Sequence, residues 1–145
     1  MPQVNHGRFG LSRETVCSMR EAGSNTVLNQ YLREKRKEGF YCYYELKVAR
    51  GDTFYFSNIE TNQHESLPAL ANEGLVWKLS DEDSRRKPCD GLSAPPLPSF
   101  LVIKFKGTYC FIEYHRILEM MNAGSTSISS DEAIEISQRI LRSSV

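Results

Sequence analysis

Apolar positions recur with two different periods along this chain, and the switches between them mark its elements. From Asn25, a residue type that caps helices, Val27, Leu28, Tyr31 and Leu32 recur at helical spacing and predict a helix over Thr26–Lys37. Gly39 stands where a helix ends, and the basic run Arg33, Lys35, Arg36, Lys37 fills the last turns, where the helix dipole favours cations. Residues 40–48 are aromatic and β-branched, the composition of a strand. Arg50, Gly51 and Asp52 form a turn, after which Phe54 and Phe56 either continue a hairpin or lead into a helix. Ser57 with Glu60 reads as a capping box opening a helix from Asn58 to about Ala71, with Ile59, Leu67 and Leu70 inward and Pro68 kinking or ending it early.

A second strand is predicted over Gly74–Leu79, then a charged loop, a short element at Pro88–Leu92 and a turn-rich stretch to Pro98. Phe100–Phe105 and Thr108–Tyr114 flank Lys106-Gly107, a β-hairpin signal. His115–Met121 reads as a helical turn. Ser130 caps a last helix over Asp131–Leu141, with Ala133, Ile134, Ile136 and Ile140 as its apolar stripe. Gly7, Gly10 and Gly23 break any pattern before Asn25, apart from a short helix at Ser12–Met19. The expectation is a loose segment 1–24 and one domain, 25–145, of α/β (α+β) class with a mixed sheet flanked by helices.

Composition narrows the classes. The 145 residues carry 18 basic and 18 acidic side chains, a net charge of zero, so any nucleic-acid footprint must be local. No apolar run approaches the roughly 18 residues of a membrane span, and the N-terminus lacks the apolar core of a secretory leader. Cys17, Cys42, Cys89 and Cys110 include no two within five residues, which excludes a CxxC pair and favours reduced thiols in a cytosol-like compartment. His6, His64 and His115 are scattered and form no zinc-ligand pattern.

The chemistry centres on Glu45-Leu46-Lys47. Strand alternation puts Glu45 and Lys47 on one face, about 7 Å apart along the chain, with Tyr44, Leu46 and Val48 on the other. A carboxylate beside an ammonium suits metal-assisted phosphodiester hydrolysis. With 18 acids and 7 lysines, chance alone predicts about one acid-x-lysine triplet, and the chain has one, so by itself the triplet also reads as a solvated ion pair.

Its context extends the pattern. The triplet is followed by Phe54–Ile59 and a helix carrying Gln63 and His64, with Gln63 16 residues after Lys47. This arrangement resembles the restriction-endonuclease-like (PD-(D/E)xK) nucleases, nearest to RecU-type Holliday-junction resolvases and small phage nuclease-like proteins. The likeness covers about residues 25–141. It implies a metal-dependent DNA endonuclease, with Mg²⁺ or Mn²⁺ held by Glu45 and the Leu46 carbonyl, and with Lys47 and Gln63 as catalytic residues. The superfamily's metal-binding Asp on the preceding strand is missing, since residues 40–44 hold no acid. The segment Asp83 to Asp90, ending Lys87-Pro88-Cys89-Asp90, resembles one in which some phage relatives deliver that carboxylate from a different strand, which points to Asp90, with Glu34 as a further acid.

The resemblance further implies a DNA partner, a homodimer able to act on two strands, and an intracellular, cytoplasmic protein of phage or viral kind. Two basic runs, Arg36-Lys37 and Arg85-Arg86-Lys87, would contact phosphates. Plainer readings stay open: Asp90-Gly91 as turn chemistry, Gln63 and His64 as a polar helix face, Glu34 as a solvated side chain, and Glu113 with no partner. So does a different class of function, a non-catalytic nucleic-acid-binding or protein-interaction module on a nuclease-like fold.

Overall fold

The structure, a computed structural model, describes residues 13–79 and 89–143. Its elements run α1 (Arg13–Arg36), β1 (Tyr43–Val48), β2 (Thr53–Tyr55), a 3-10 turn (Phe56–Asn58), α2 (Thr61–Glu73), β3 (Leu75–Lys78), β4 (Gly91–Ala94), β5 (Ser99–Phe105), β6 (Thr108–Glu113), α3 (Tyr114–Asn122), β7 (Ser127–Ser129), α4 (Ser130–Ile136) and β8 (Arg139–Arg142). This is an α+β fold. Its central sheet has the order β1-β5-β6-β8, parallel between β1 and β5 and antiparallel elsewhere. Two smaller pairs, β2-β7 and β3-β4, are separate sheets.

The central sheet is covered on both faces, which explains the unbroken apolar run of β5. On one face Leu101, Ile103, Cys110 and Ile112 pack with Phe54, Leu67, Ile117 and Ile128 from the surrounding elements. On the other, Phe100, Val102, Tyr109, Phe111 and Leu46 pack under α1, whose Leu28 is fully buried. At the β5–β6 turn, a Cβ on Gly107 would lie 2.5 Å from the Ser143 carbonyl oxygen, so only glycine allows β8 to close against this corner.

Three element boundaries differ from the sequence reading. Helix α1 runs without a break from Arg13 through Asn25, so the division at residue 24 does not interrupt it. Asn25 is not a cap: its Oδ1 accepts from the Tyr44 hydroxyl at 3.1 Å, as does Asn29 Oδ1 at 2.8 Å. Ser24 is buried, and its Oγ accepts from Lys104 Nζ at 3.1 Å. Contacts to the sheet thus override the local stop signals.

The cap of α2 is Glu60 rather than Ser57, with Gln63 as its capping-box partner. Pro68 does not end α2, which continues to Glu73. A proline here removes only the bond to the His64 carbonyl, and Leu67 anchors the turn in the core. Lastly, the final helix stops at Ile136, capped by Ser129 rather than Ser130. Ile140 and Leu141 belong to β8, which pairs with the edge that β6 offers.

Candidate functional site

The register Glu45↔Leu101 and Lys47↔Ile103 sets both charged side chains on the sheet face that carries Leu101 and Ile103. Because β1 is the terminal strand, they lie at the margin of that core. Lys47 Nζ is 3.4 Å from Glu45 Oε1, and the side chains are only 12% and 33% exposed. Taking two charges this far out of water is costly unless each has the other close by. The same-face expectation for Glu45 and Lys47 is what the strand delivers.

The backbone adds one group. Tyr43 N–H donates to the Pro98 carbonyl and Ala49 N–H to the Lys104 carbonyl. Odd-numbered residues of β1 therefore address β5, and the even-numbered ones turn their N–H and C=O outward. The Leu46 carbonyl faces the open edge of β1, while the Leu46 side chain is buried under α1.

Beside Lys47 lies a groove of about 500 Å³ running along Val48, Arg50, Thr53, Tyr55 and Asn58. Arg50 and Asn58 bring a cation and an amide to it, and Tyr55 brings an exposed aromatic ring. Arg50 and Asn58 escaped the sequence reading because one sat in a turn signal and the other in a supposed first helical turn. The only hint was their closeness in sequence to the Glu-x-Lys strand.

Other expected members lie apart from this pair or are engaged elsewhere. Gln63 Oε1 accepts from the Glu60 backbone N–H at 3.0 Å, so its carbonyl oxygen closes the α2 cap. His64 Nδ1 and the hydroxyl of buried Tyr114 are hydrogen-bonded to each other, which ties α2 to α3. Asp90 is exposed at the entry to β4, where its carbonyl accepts from Leu79 N–H at 2.8 Å. Its strand belongs to the β3-β4 pair and shares no ladder with the central sheet. Glu34 is exposed on α1, which covers the sheet face opposite Glu45 and Lys47. Arg36 and Lys37 are exposed at the end of that same helix. Arg85, Arg86 and Lys87 lie outside the described residues. Glu113 has a partner after all, since its Oε2 is 3.0 Å from His115 Nδ1.

Among the described residues no three His, Cys, Asp or Glu side chains come together as a metal-ligand set. Mg²⁺ asks less of a protein than zinc does: one or two carboxylates suffice when water and a substrate phosphate fill the other positions. Glu45 meets that minimum. No helix among the described residues is long and apolar enough to cross a membrane. No protein-family model, no curated protein and no solved structure matches the chain.

Proposed function

We propose that the protein is a metal-dependent nuclease that hydrolyses phosphodiester bonds in DNA, including branched or recombination intermediates, as a member of the restriction-endonuclease-like superfamily. The observation that carries this reading is the Glu45–Lys47 pair, held side by side in a largely buried setting at the head of a groove edged by Arg50, Asn58 and Tyr55. Glu45 would hold Mg²⁺ or Mn²⁺, with the outward Leu46 carbonyl at the same strand edge. The bound cation would neutralise the scissile phosphate and lower the pKa of the attacking water. Lys47 supports the charge that grows on the pentavalent phosphorus, from a site where water screens it little. Arg50 grips a neighbouring phosphate, and Tyr55 offers its ring to a base. In-line attack leaves a 5′-phosphate, and a homodimer would present two such sites to two strands.

Asp90 completes the ligand set if the β3-β4 hairpin brings it to the strand edge when DNA binds. The test is cleavage of duplex, single-stranded and branched DNA with Mg²⁺ or Mn²⁺, beside a melting curve for each variant. Lys47→Ala is expected to lower cleavage about 10²–10³-fold while keeping the stabilisation by metal, because a lysine repels the cation. Glu45→Ala is expected to lose both. Wild-type protein inert on every substrate would overturn the reading.

A second reading is a non-catalytic nucleic-acid-binding or interaction module on a nuclease-like fold. It is favoured by one observation, the lack of a convergent His/Cys/Asp/Glu trio among the described residues. It predicts DNA binding that Mg²⁺ and Lys47→Ala leave unchanged.

A further inference from the structure

On the sheet face opposite Glu45 and Lys47, the end of α1 and residues 40–42 enclose a second groove of about 400 Å³. Arg33 and Arg36 of the helix line it together with Tyr41 and Cys42 of the segment that leads into β1. Positions i and i+3 of a helix are neighbours, with their Cβ atoms about 5–6 Å apart, close enough for both guanidinium groups to bind one anion. Among the described residues neither has a carboxylate partner, whereas the adjacent Lys35 is paired with Glu38 at 3.1 Å. Two cationic side chains without an ion pair among the described residues therefore line this groove.

The groove also offers aromatic surface. Tyr41 is 54% exposed, and among the described residues no aromatic ring is stacked on it. The next residue back, Phe40, is fixed in place: Arg139 lies 3.9 Å above its ring, Phe100 and Phe111 flank it, and its N–H donates to the Lys35 carbonyl at 3.1 Å. Phe40 thus holds Tyr41 at a set distance from the arginines. Burial pushes the Cys42 thiol up to about 11, so it is neutral and does not repel an anion.

Two unpaired arginines and an exposed ring lining one cleft of ligand size match a phosphate joined to a flat base. We infer that this groove is a nucleotide subsite for single-stranded DNA, with one phosphate between Arg33 and Arg36 and the attached base stacked on Tyr41. The inference rests on the proposed DNA partner and not on cleavage. A strand held here reaches Glu45 and Lys47 only by crossing the open edge of β1, which makes the subsite an anchor for a displaced or branched strand.

The test is anisotropy of a fluorescein-labelled ten-residue oligo-dT with the full chain in EDTA, which removes cleavage from the measurement. Arg33→Ala with Arg36→Ala is expected to weaken binding about tenfold and to lower the salt slope by about 0.7, the value for one phosphate of a single strand. Tyr41→Ala is expected to weaken it about tenfold through lost stacking, and Tyr41→Phe to stay within twofold of wild type. Unlabelled dTMP should displace the strand at concentrations where inorganic phosphate does not.

The inference is overturned if the arginine double variant binds as wild type, if Tyr41→Phe falls as far as Tyr41→Ala, or if phosphate competes as well as dTMP. DNA cleavage with unchanged strand binding in these variants would remove the subsite and leave the nuclease reading standing. Strand binding lost in them, from a protein that cuts nothing, would do the reverse.

Discussion

The central sheet and the β3-β4 hairpin both carry large apolar side chains, and these end in opposite states. In the sheet, Phe100, Leu101, Val102 and Ile103 are wholly buried, because helices or the β2-β7 pair cover each face. In the hairpin, Val76 is 86% exposed and Trp77 59%, with Trp77 facing exposed Leu92 across the pair. A lone two-stranded ribbon is marginal in water. This one is secured at its base, where the Tyr43 hydroxyl donates to the Pro95 carbonyl at 2.7 Å. Gly74, at φ 80°, lets the chain pass there, since a Cβ would lie 2.4 Å from the Ala94 oxygen. The two regions place the candidate residues in different settings: Glu45 and Lys47 sit half-buried on the central sheet, and Asp90 sits exposed on the hairpin.

The largest effect that would sharpen this contrast is expected in the sheet. Phe111→Ala empties a fully buried site touching Tyr31, Phe40 and Phe100, and should cost about 3–5 kcal/mol in denaturant unfolding. Tyr44→Phe comes next. It removes the hydroxyl that donates to Asn25 and Asn29, and should cost about 1 kcal/mol, with faster amide exchange in the first half of α1. Trp77→Ala should lower the unfolding free energy by less than about 0.5 kcal/mol. A loss as large as that of Phe111→Ala would break the contrast, because the hairpin would then belong to the same cooperative unit.

The smallest effect concerns Glu132, whose carboxylate accepts from the Ser129 backbone N–H at 2.9 Å and from its hydroxyl at 3.1 Å. The backbone bond, then the hydroxyl, holds its pKa below the usual glutamate range. A depressed folded-state pKa stabilises above the ordinary value of about 4.3 and loses that stabilisation as pH falls through the lowered one. Wild type should therefore melt slightly above Glu132→Gln at pH 6, and the two should converge as the pH falls through the lowered pKa.

What the sequence made legible was what alternation and punctuation encode. Period two placed Glu45 and Lys47 on one face, and Lys106-Gly107 between two apolar runs marked the β5–β6 hairpin. What it concealed depended on partners distant in the chain. Asn25 looked like a cap until Tyr44 is seen to occupy its oxygen. Ile140 and Leu141 fitted a helical stripe, but the free edge of β6 draws them into a strand. Gln63 was expected at the site on the family resemblance, and the capping bond that its oxygen makes to Glu60 is a second role that the spacing alone did not single out. The place of Asp90 relative to Glu45 is set by a hairpin arm, on which no local pattern bears.

The parallel pairing of β1 with β5 also bears on how the chain reaches this state. β5 and β6 meet across two residues, whereas β1 and β5 are about 50 residues apart in the chain. Loop-closure entropy grows with the logarithm of length, so β1 docking costs about 3 kcal/mol more than closing the hairpin. Contacts that are near in sequence form first, which makes β5–β6 the nucleus and β1 a late arrival. Glu45 and Lys47 travel on that late strand, so their burial side by side completes folding and takes no part in starting it. Substitutions at these two positions should then speed unfolding and leave the folding rate nearly unchanged.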